Sequence, residues 1–528
     1  MSKVSKKTFS FAIMAVFISM MFFDFRSVLA QTCQSNIPVK SGDNYSVSLD
    51  SGTEAKITRL LKPSFFGFNM EWIEFQDSFL NKKTKKVHPV LVEWMKAFPG
   101  AVYRYPGGTV ANNFNWMEAV GDVSLRKMQI GAEWRGPLAV RFGIDEYLSF
   151  VNQVAGQSWI VANLYGRFEG EEPIADLAKQ AAMVAEHVLK ANREQGVSPV
   201  LRWELGNELD RGDYLWPAKK YSDRSAKIID AIKAVIPGAK FVGIAEDYDA
   251  QTGTSGLNAR EYNNFVVSKL ADNVHEYANH LYYDGGENGP PIPDRLGQLC
   301  TTLDSLQKVL PATKASNAGI WITEHARWPI GGPSDSDWQS HWPKATNLQA
   351  GISVADMMIA TVQFPQIKGS FIHTLSGTVG PWPFFHEGAK GTFHPSVIYW
   401  TLRILREAML DEVLTTQTVS ANLSNYAGGY DVRVAVLRKK NHKKYAVWAI
   451  NRHAKAVTLD IKIPLCTGCT LLVNKTELSG QSPKATNSIN KNSVLPHKTT
   501  ETLAVNKQGY AKVSLAAYSV STFIIDTP

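Results

Sequence analysis

The sequence predicts an α/β chain, a (β/α)8 barrel followed by a C-terminal antiparallel β-sandwich. Between residues 60 and 405, eight short apolar runs alternate with amphipathic helical patterns. Repeated strand-then-helix units build a parallel sheet, and eight of them fit a closed barrel. Beyond about residue 406 the pattern changes to short runs with partial period-two alternation, as in an antiparallel sandwich. No G-x-G-x-x-G follows the first run, which weakens the competing open dinucleotide-binding sheet.

The elements follow in order. Residues 1–30 read as a secretion signal: Lys3, Lys6 and Lys7 precede an apolar run at 9–23, and Val28-Leu29-Ala30 offers a small-residue cleavage site. The run is short for a membrane span and is closed by Asp24 and Arg26, so the expected location is secreted, extracellular or periplasmic, with no stable membrane insertion after cleavage. An uncleaved anchor is the alternative. Residues 31–59 hold strand-like runs at 45–49 and 55–58, expected to join the sandwich. Barrel strands are expected at 64–69, 101–105, 158–164, 200–205, 240–243, 278–282, 319–323 and 369–373. A helix over 176–192 presents Leu177, Ala181, Val184 and Val188 on one face and stops near Gly196. Another over 221–236 presents Ile228, Ile232 and Val235 and ends at Pro237-Gly238. Sandwich strands are expected at 431–437, 445–451, 457–463 and within 510–525, with a turn at Asn441-His442 and a loose polar insertion over 479–506.

Composition is that of a globular protein, 44% hydrophobic and 20% charged. A formal charge of +8 permits an acidic polysaccharide partner without requiring one, and no basic run interleaved with aromatics suggests nucleic acid. Cys33, Cys300, Cys466 and Cys469 can form two disulfides in an oxidising compartment. Cys466 and Cys469 have the spacing of half a zinc site, but no second pair accompanies them, and a local bridge is preferred.

Active-site residues of such barrels stand at the C-terminal ends of strands. The fourth strand ends Trp203-Glu204-Leu205-Gly206-Asn207-Glu208, and the seventh ends Trp321-Ile322-Thr323-Glu324-His325. Two carboxyls facing each other across a cavity, roughly 5–5.5 Å apart, suit retaining glycosidic hydrolysis, in which one attacks the anomeric carbon and the other serves as acid and then base. That chemistry requires neither metal nor cofactor.

The Asn207-Glu208 pair and the lone Glu324 resemble the clan A glycoside hydrolases. Phe66-Gly67-Phe68-Asn69-Met70-Glu71 and Arg104-Tyr105-Pro106-Gly107-Gly108-Thr109 resemble the first and second strand ends of the family 51 α-L-arabinofuranosidases. Trp203 to Glu208 resembles the corresponding segment of the family 79 heparanase-like β-glucuronidases. The chain departs from both. Thr109 stands where the arabinofuranosidases typically carry Asn, Glu324 lies in Thr-Glu-His rather than Asp-Glu-Trp, and Leu209 replaces the Pro of the heparanases.

The expected roles are Glu208 as acid/base, its pKa raised by burial and by Glu324, and Glu324 as nucleophile. Asn207 is expected on the sugar 2-hydroxyl, and Arg104 on Glu324, keeping it ionised. His280 and Tyr282 are expected on the nucleophile or the glycone, and Glu71 on sugar hydroxyls. Trp321, His373 and Trp382 are expected to line the cleft. Glu204 is read as the partner of an interior arginine. The bland alternatives are an N-terminal helix acid for Glu324 and a purely structural partner for Arg104. The expected partner is a polysaccharide or oligosaccharide. An arabinofuranosidase-like activity on plant cell-wall glycans ranks first, a uronidase-type activity on acidic glycans second, and a non-catalytic carbohydrate-binding protein third. Loops at 284–294, 327–344 and 375–393 are expected to set specificity.

Overall fold

The structure, a computed structural model, describes residues 45–49, 56–75, 79–81, 83–132, 136–244, 259–286, 289–310, 314, 318–375, 380–388, 391–419, 431–440, 444–462 and 467–526. The segment read as a signal, Cys33, Cys466 and the Asn441-His442 turn lie outside them.

Eight parallel strands close into a barrel. In chain order they are β1 (Phe66–Asn69), β2 (Val102–Tyr105), β3 (Gln157–Ala162), β4 (Arg202–Leu205), β5 (Phe241–Ile244), β6 (Val274–Tyr283), β7 (Gly319–Arg327) and β8 (Ile367–Ile372). Closure comes from β8 pairing with β1, with Ser370 opposite Phe66 and Ile372 opposite Phe68. The strands read as apolar runs because both faces are covered, by helices outside and by packed side chains within. β1, β2 and β5 are buried at every position. Each of the eight expected strands overlaps an observed one; β6 and β7 are longer than expected.

The barrel interior is filled in layers, as such barrels require. Val102, Trp159, Val242, Ala278, Trp321 and Phe371 form one apolar cluster. Trp159 packs edge-on against Trp321 and Phe371, with ring centroids 5.0 and 5.1 Å away. A side chain at Gly369 would meet the Trp321 ring at 2.5 Å, so the glycine makes room for it.

The expected helices are present. Ile174–Gln195 buries Leu177, Val184 and Val188 and ends at Gly196 in the left-handed conformation. Ala218–Val235 buries Ile228 and Ile232.

The sandwich has a four-stranded and a seven-stranded sheet. Tyr45–Leu49 lies in the smaller one, antiparallel to Thr416–Val419 and parallel to Val457–Lys462. Ile57–Leu60 joins the larger one beside Glu412–Leu414. Central to the larger sheet is Lys444–Asn451, whose alternate residues serve two cores. Val447 and Ala449 face the smaller sheet, while Ala446, Trp448 and Ile450 join the barrel core. The 479–506 stretch is not a loose insertion. It contains His497–Ala504, an edge strand paired with Thr470–Leu478, and a hairpin of Asn487–Ser488 with Lys491–Asn492. Its polarity is that of an edge facing solvent, since His497–Ala504 is largely exposed. Cys300 and Cys469 each take part in a disulfide. Among the described residues, no helix is long and apolar enough to cross a membrane.

Candidate active site

Above the aromatic layer the barrel interior turns polar. Arg104, near the end of β2, is fully buried and organises it. Its Nε and Nη2 donate to the two oxygens of Glu204 at 2.6 and 3.0 Å. Its Nη1 donates to Asn69 Oδ1 at 2.7 Å and Glu324 Oε1 at 2.8 Å, and its Nη2 also to Asn207 Oδ1 at 2.7 Å. A planar guanidinium suits this multiple recognition where an ammonium would not. Glu204 further accepts from Trp159 Nε1 at 2.7 Å, so it is the interior partner of Arg104 that the sequence suggested.

Past β4 the chain turns sharply, with Gly206 at φ 76° and Glu208 at φ 47°. A non-glycine residue in that region is strained, and such strain tends to persist where surrounding contacts fix it. Here Asn112 fixes it: its Nδ2 donates to the Asn207 carbonyl at 2.7 Å, and its Oδ1 accepts from the Asn207 N–H at 3.1 Å. Asn207 Nδ2 is buried with no hydrogen-bond partner among the described residues.

His280 and Tyr282 lie two apart on β6 and both point inward. His280 Nδ1 meets Glu208 Oε1 at 2.7 Å, and its Nε2 meets Thr323 Oγ1 at 3.0 Å. The Tyr282 hydroxyl donates to Glu324 Oε2 at 2.7 Å. Glu208 and Glu324 offer oxygens within 4.8 Å of each other, with His280 in the same radius. The Glu208 side chain is 26% exposed and Glu324 5%, so one carboxyl faces the mouth and the other lies deep. These three residues have the donor types of a metal site, but the His280 nitrogen facing them is engaged by Glu208.

The electrostatics differ between the two carboxyls. Burial works against the Glu324 charge, but the His280 and His373 imidazoles, Arg104 and the Tyr282 hydroxyl outweigh it and hold the group at about 2. Burial also pushes Glu208 up, as does Glu324, yet the hydrogen bond and charge of His280 draw it below the usual carboxylate range. This corrects the expectation that Glu208 is raised, because sequence reasoning did not supply its imidazole partner. Burial opposes the His280 charge, but Glu324 and Glu208 prevail and raise it. The Glu208 carboxyl and the His280 imidazole therefore titrate as a pair.

His373 Nδ1 lies 3.6 Å from Glu324 Oε2 and its Nε2 3.7 Å from Glu71 Oε1. A methyl group at Gly108 would sit 3.0 Å from Glu324 Oε1 and 3.2 Å from Glu71 Oε1, so bare backbone separates these two acids. Trp382 donates through Nε1 to the Arg327 carbonyl at 2.8 Å and stands 5.1 Å from the Tyr282 ring and 5.2 Å from His373. Trp328 completes this wall, 5.1 Å from Trp382.

Nine of the ten expected residues thus converge: Glu71, Arg104, Asn207, Glu208, His280, Tyr282, Glu324, His373 and Trp382. Trp321 does not. It packs in the interior cluster, donates to Glu276 Oε2 at 2.7 Å and stacks with Arg202, near the starts of β6 and β4. Sequence reasoning missed Asn69, Asn112, Thr323 and Trp328. Asn69 and Thr323 lay within quoted motifs, and Trp328 within a loop expected to set specificity. Asn112 sits in a short 3-10 helix, Thr109–Asn113, that carries no sequence signal.

A family model described as "Alpha-L-arabinofuranosidase 1 domain" matches residues 94–283. An intracellular exo-α-(1→5)-L-arabinofuranosidase of Streptomyces lividans is 25% identical over 37% of this chain and 30% of its own length. One from Bacillus subtilis is 20% identical over 75% of this chain and 81% of its own. One from Bifidobacterium longum is 25% identical over 52% of this chain and 51% of its own, so two of these three matches span about half or less of the relative. The solved structure of a Thermotoga maritima α-L-arabinofuranosidase in complex with arabinose superimposes with a TM-score of 0.70 at 16% identity, covering 92% of this chain and all of that one. A Bifidobacterium longum family 51 α-L-arabinofuranosidase gives 0.72 at 15% identity over the same shares.

The chain resembles the family 51 arabinofuranosidases of clan A. At such identities the solved structures establish the fold, a (β/α)8 barrel with a β-sandwich. The expected secretion is overturned: five relatives similar to this chain are named as intracellular enzymes.

Proposed function

We propose that this chain is a retaining glycoside hydrolase that releases α-L-arabinofuranosyl groups from plant cell-wall glycans. The observation that carries the reading is the approach of the Glu208 and Glu324 oxygens to within 4.8 Å, with Glu324 held ionised and Glu208 sharing a proton with His280.

Each step falls to a named group. Glu324 attacks the anomeric carbon as the bond to the leaving oxygen breaks, and that oxygen takes the proton of the Glu208–His280 pair. Esterification of Glu324 removes its charge from the site. Glu208 then takes a proton from water, whose oxygen attacks the anomeric carbon and frees Glu324. Arg104 and Tyr282 each hold one oxygen of Glu324, fixing the carboxylate plane before attack. Asn207, tied through Oδ1 to Arg104, turns its unpartnered Nδ2 to the sugar 2-hydroxyl. Glu71 takes glycone hydroxyls, and Trp382 with His373 walls the sugar. A uronidase would need a cation for the sugar carboxylate, whereas Arg104 is spent on Glu204, Glu324, Asn69 and Asn207. Residues 60–405 act as the catalytic unit, and residues 31–59 with 406–528 as the accessory one.

A panel of aryl glycosides tests the reading. Turnover of the α-L-arabinofuranoside over the β-glucuronide is expected. Preference for the glucuronide would favour the uronidase, and turnover of none from acidic to neutral pH would favour a binding protein. Glu324→Gly is expected to lose turnover and regain it with azide; normal turnover in that variant refutes the assignment.

A further inference from the structure

We propose that Arg452, carried by the sandwich, is a positioning residue for the nucleophile: it anchors Asp284 at the end of β6 and so sets Tyr282 against Glu324. The proposal rests on the reading of Glu324 as nucleophile.

The geometry is a buried chain of contacts from one layer of the molecule to the other. Arg452 directly follows the sandwich strand Lys444–Asn451, and its side chain is 8% exposed. Its Nη2 lies 2.6 Å from Asp356 Oδ2 and 3.7 Å from Asp284 Oδ2. Asp356 belongs to the helix Leu348–Thr361, and its other oxygen accepts from Arg433. Ser353, on the same helix, donates to Asp284 Oδ2 at 2.6 Å. Arg452 and Ser353 thus converge on one Asp284 oxygen, the first from the sandwich and the second from the barrel's outer helix.

Asp284 is where β6 stops. It holds φ 58°, a region an aspartate tolerates when other contacts fix it. The two residues before it face opposite ways. Tyr283 points outward, where its hydroxyl meets His325 Nδ1 at 3.0 Å, and its carbonyl accepts from the Trp328 N–H at 2.8 Å. Tyr282 points inward to Glu324. His325 and Glu324 are themselves neighbours on β7, so two adjacent rungs tie β6 to β7, one inside the barrel and one outside. Trp328 packs 5.2 Å from the Tyr282 ring. A displacement of Asp284 therefore reaches the Glu324 carboxylate, Tyr282 and the Trp328–Trp382 wall together.

Losing Arg452 leaves Asp284 with Ser353, with the Ile292 N–H that donates to its Oδ1 at 3.4 Å, and with the charges of Asp356 and Arg327. Asp356 keeps Arg433, so the damage concentrates on Asp284. Glu324 is then left with Arg104, His280 and His373, and with a weaker bond from Tyr282. Its proton affinity rises.

The test compares Arg452→Met, Asp284→Asn, Arg433→Met and Tyr282→Phe in the full chain. Kinetics with an aryl α-L-arabinofuranoside across pH are read beside near-ultraviolet circular dichroism of the Tyr282–Trp328–Trp382 rings and thermal melting. Arg452→Met and Asp284→Asn are expected to lower kcat/KM about tenfold and move its acidic limb upward, as Tyr282→Phe does. Both are also expected to alter the ring signal, and Arg452→Lys to restore most of the loss. Arg433→Met is expected to lower the melting temperature while leaving limb and ring signal in place. The proposal is overturned if Arg452→Met and Asp284→Asn melt lower but keep the wild-type limb and ring signal, or if Arg433→Met shifts both equally. If Arg452→Met does not fold, Asp284→Asn and Arg452→Lys decide by the same criteria. An unaltered enzyme inactive on every glycoside would defeat the functional reading instead, and the ring signal would still test the anchoring.

Discussion

His280 Nδ1 and Glu208 Oε1 stand 2.7 Å apart, so on the proposed mechanism the proton for the leaving group is held between an imidazole and a carboxyl. Glu324 and Glu208 raise the imidazole above its ordinary value against the effect of burial. The basic limb of the pH–rate profile therefore belongs to the pair. In His280→Gln the carboxyl must keep the proton alone, and a carboxyl starts from a much lower value than an imidazole. The limb is expected to move down by about one pH unit or more. An unmoved limb would show that His280 takes no part in holding the proton.

Gly108 lies between two acids, of which Glu324 cannot retreat. Glu324 is gripped by Arg104 and Tyr282, and the Gly108→Ala methyl would press on it at 3.0 Å and on Glu71 at 3.2 Å. A small misplacement of a reacting group costs rate more than stability. Gly108→Ala is expected to lower kcat/KM on the order of tenfold or more, with a melting temperature near that of the unaltered chain. Steady-state kinetics and calorimetry on one preparation check both halves.

Arg104→Met should be costly to the fold itself. It leaves Glu204 and Glu324 buried without their shared cation, and breaking such a network costs about 3–5 kcal/mol. Urea unfolding near neutral pH measures the loss. Lowering the pH should narrow the gap from the unaltered chain, because the stranded carboxyls then take up protons. A variant as stable as the original would mean that Arg104 contributes only at the chemical step.

The fold was legible where burial left no alternative. The barrel strands are covered on both faces, so β2 and β5 appear as short apolar runs, and Gly196 marks a helix end that the structure keeps. Thr470–Leu478 and His497–Ala504 escaped notice because an edge pair half in water carries much polar sequence. Within the site, residues on strand ends could be named from their places on the strands together with the family resemblance. Trp321 was misjudged because β7 continues to Arg327, which puts this ring near the strand's start rather than at the mouth. Asn112 could not be found, since it acts on the Asn207 backbone from a single 3-10 turn, too short to leave a periodic pattern in the sequence.

His325, beside Glu324 but facing outward, gives a stability prediction with a definite sign. Burial, aided by the nearby His373, holds it down at about 3. Its folded pKa is thus below its unfolded one, so the unfolded chain binds the extra proton first. The stability contributed by keeping this ring neutral is fully present above about pH 6.5 and is lost as pH falls toward 3, a loss on the order of 5 kcal/mol. His325→Gln is expected to flatten that part of the stability–pH curve, measured by chemical denaturation at successive pH values. An equally steep curve would mean that other groups govern the acid response.

The strand Ser519–Asp526 is inserted between Lys444–Asn451 and Thr470–Leu478, near the middle of the larger sheet rather than at its edge. During synthesis the ribosome delivers this piece after both strands it must separate, so the nascent chain carries an open slot in its second layer until Ser519–Asp526 has emerged. A premature stop before Ser519 would leave two unpaired edges and the apolar faces of Val447 and Val473 unprotected. Such a truncation should give aggregated product rather than a shortened, working protein, although it removes no residue of the barrel mouth.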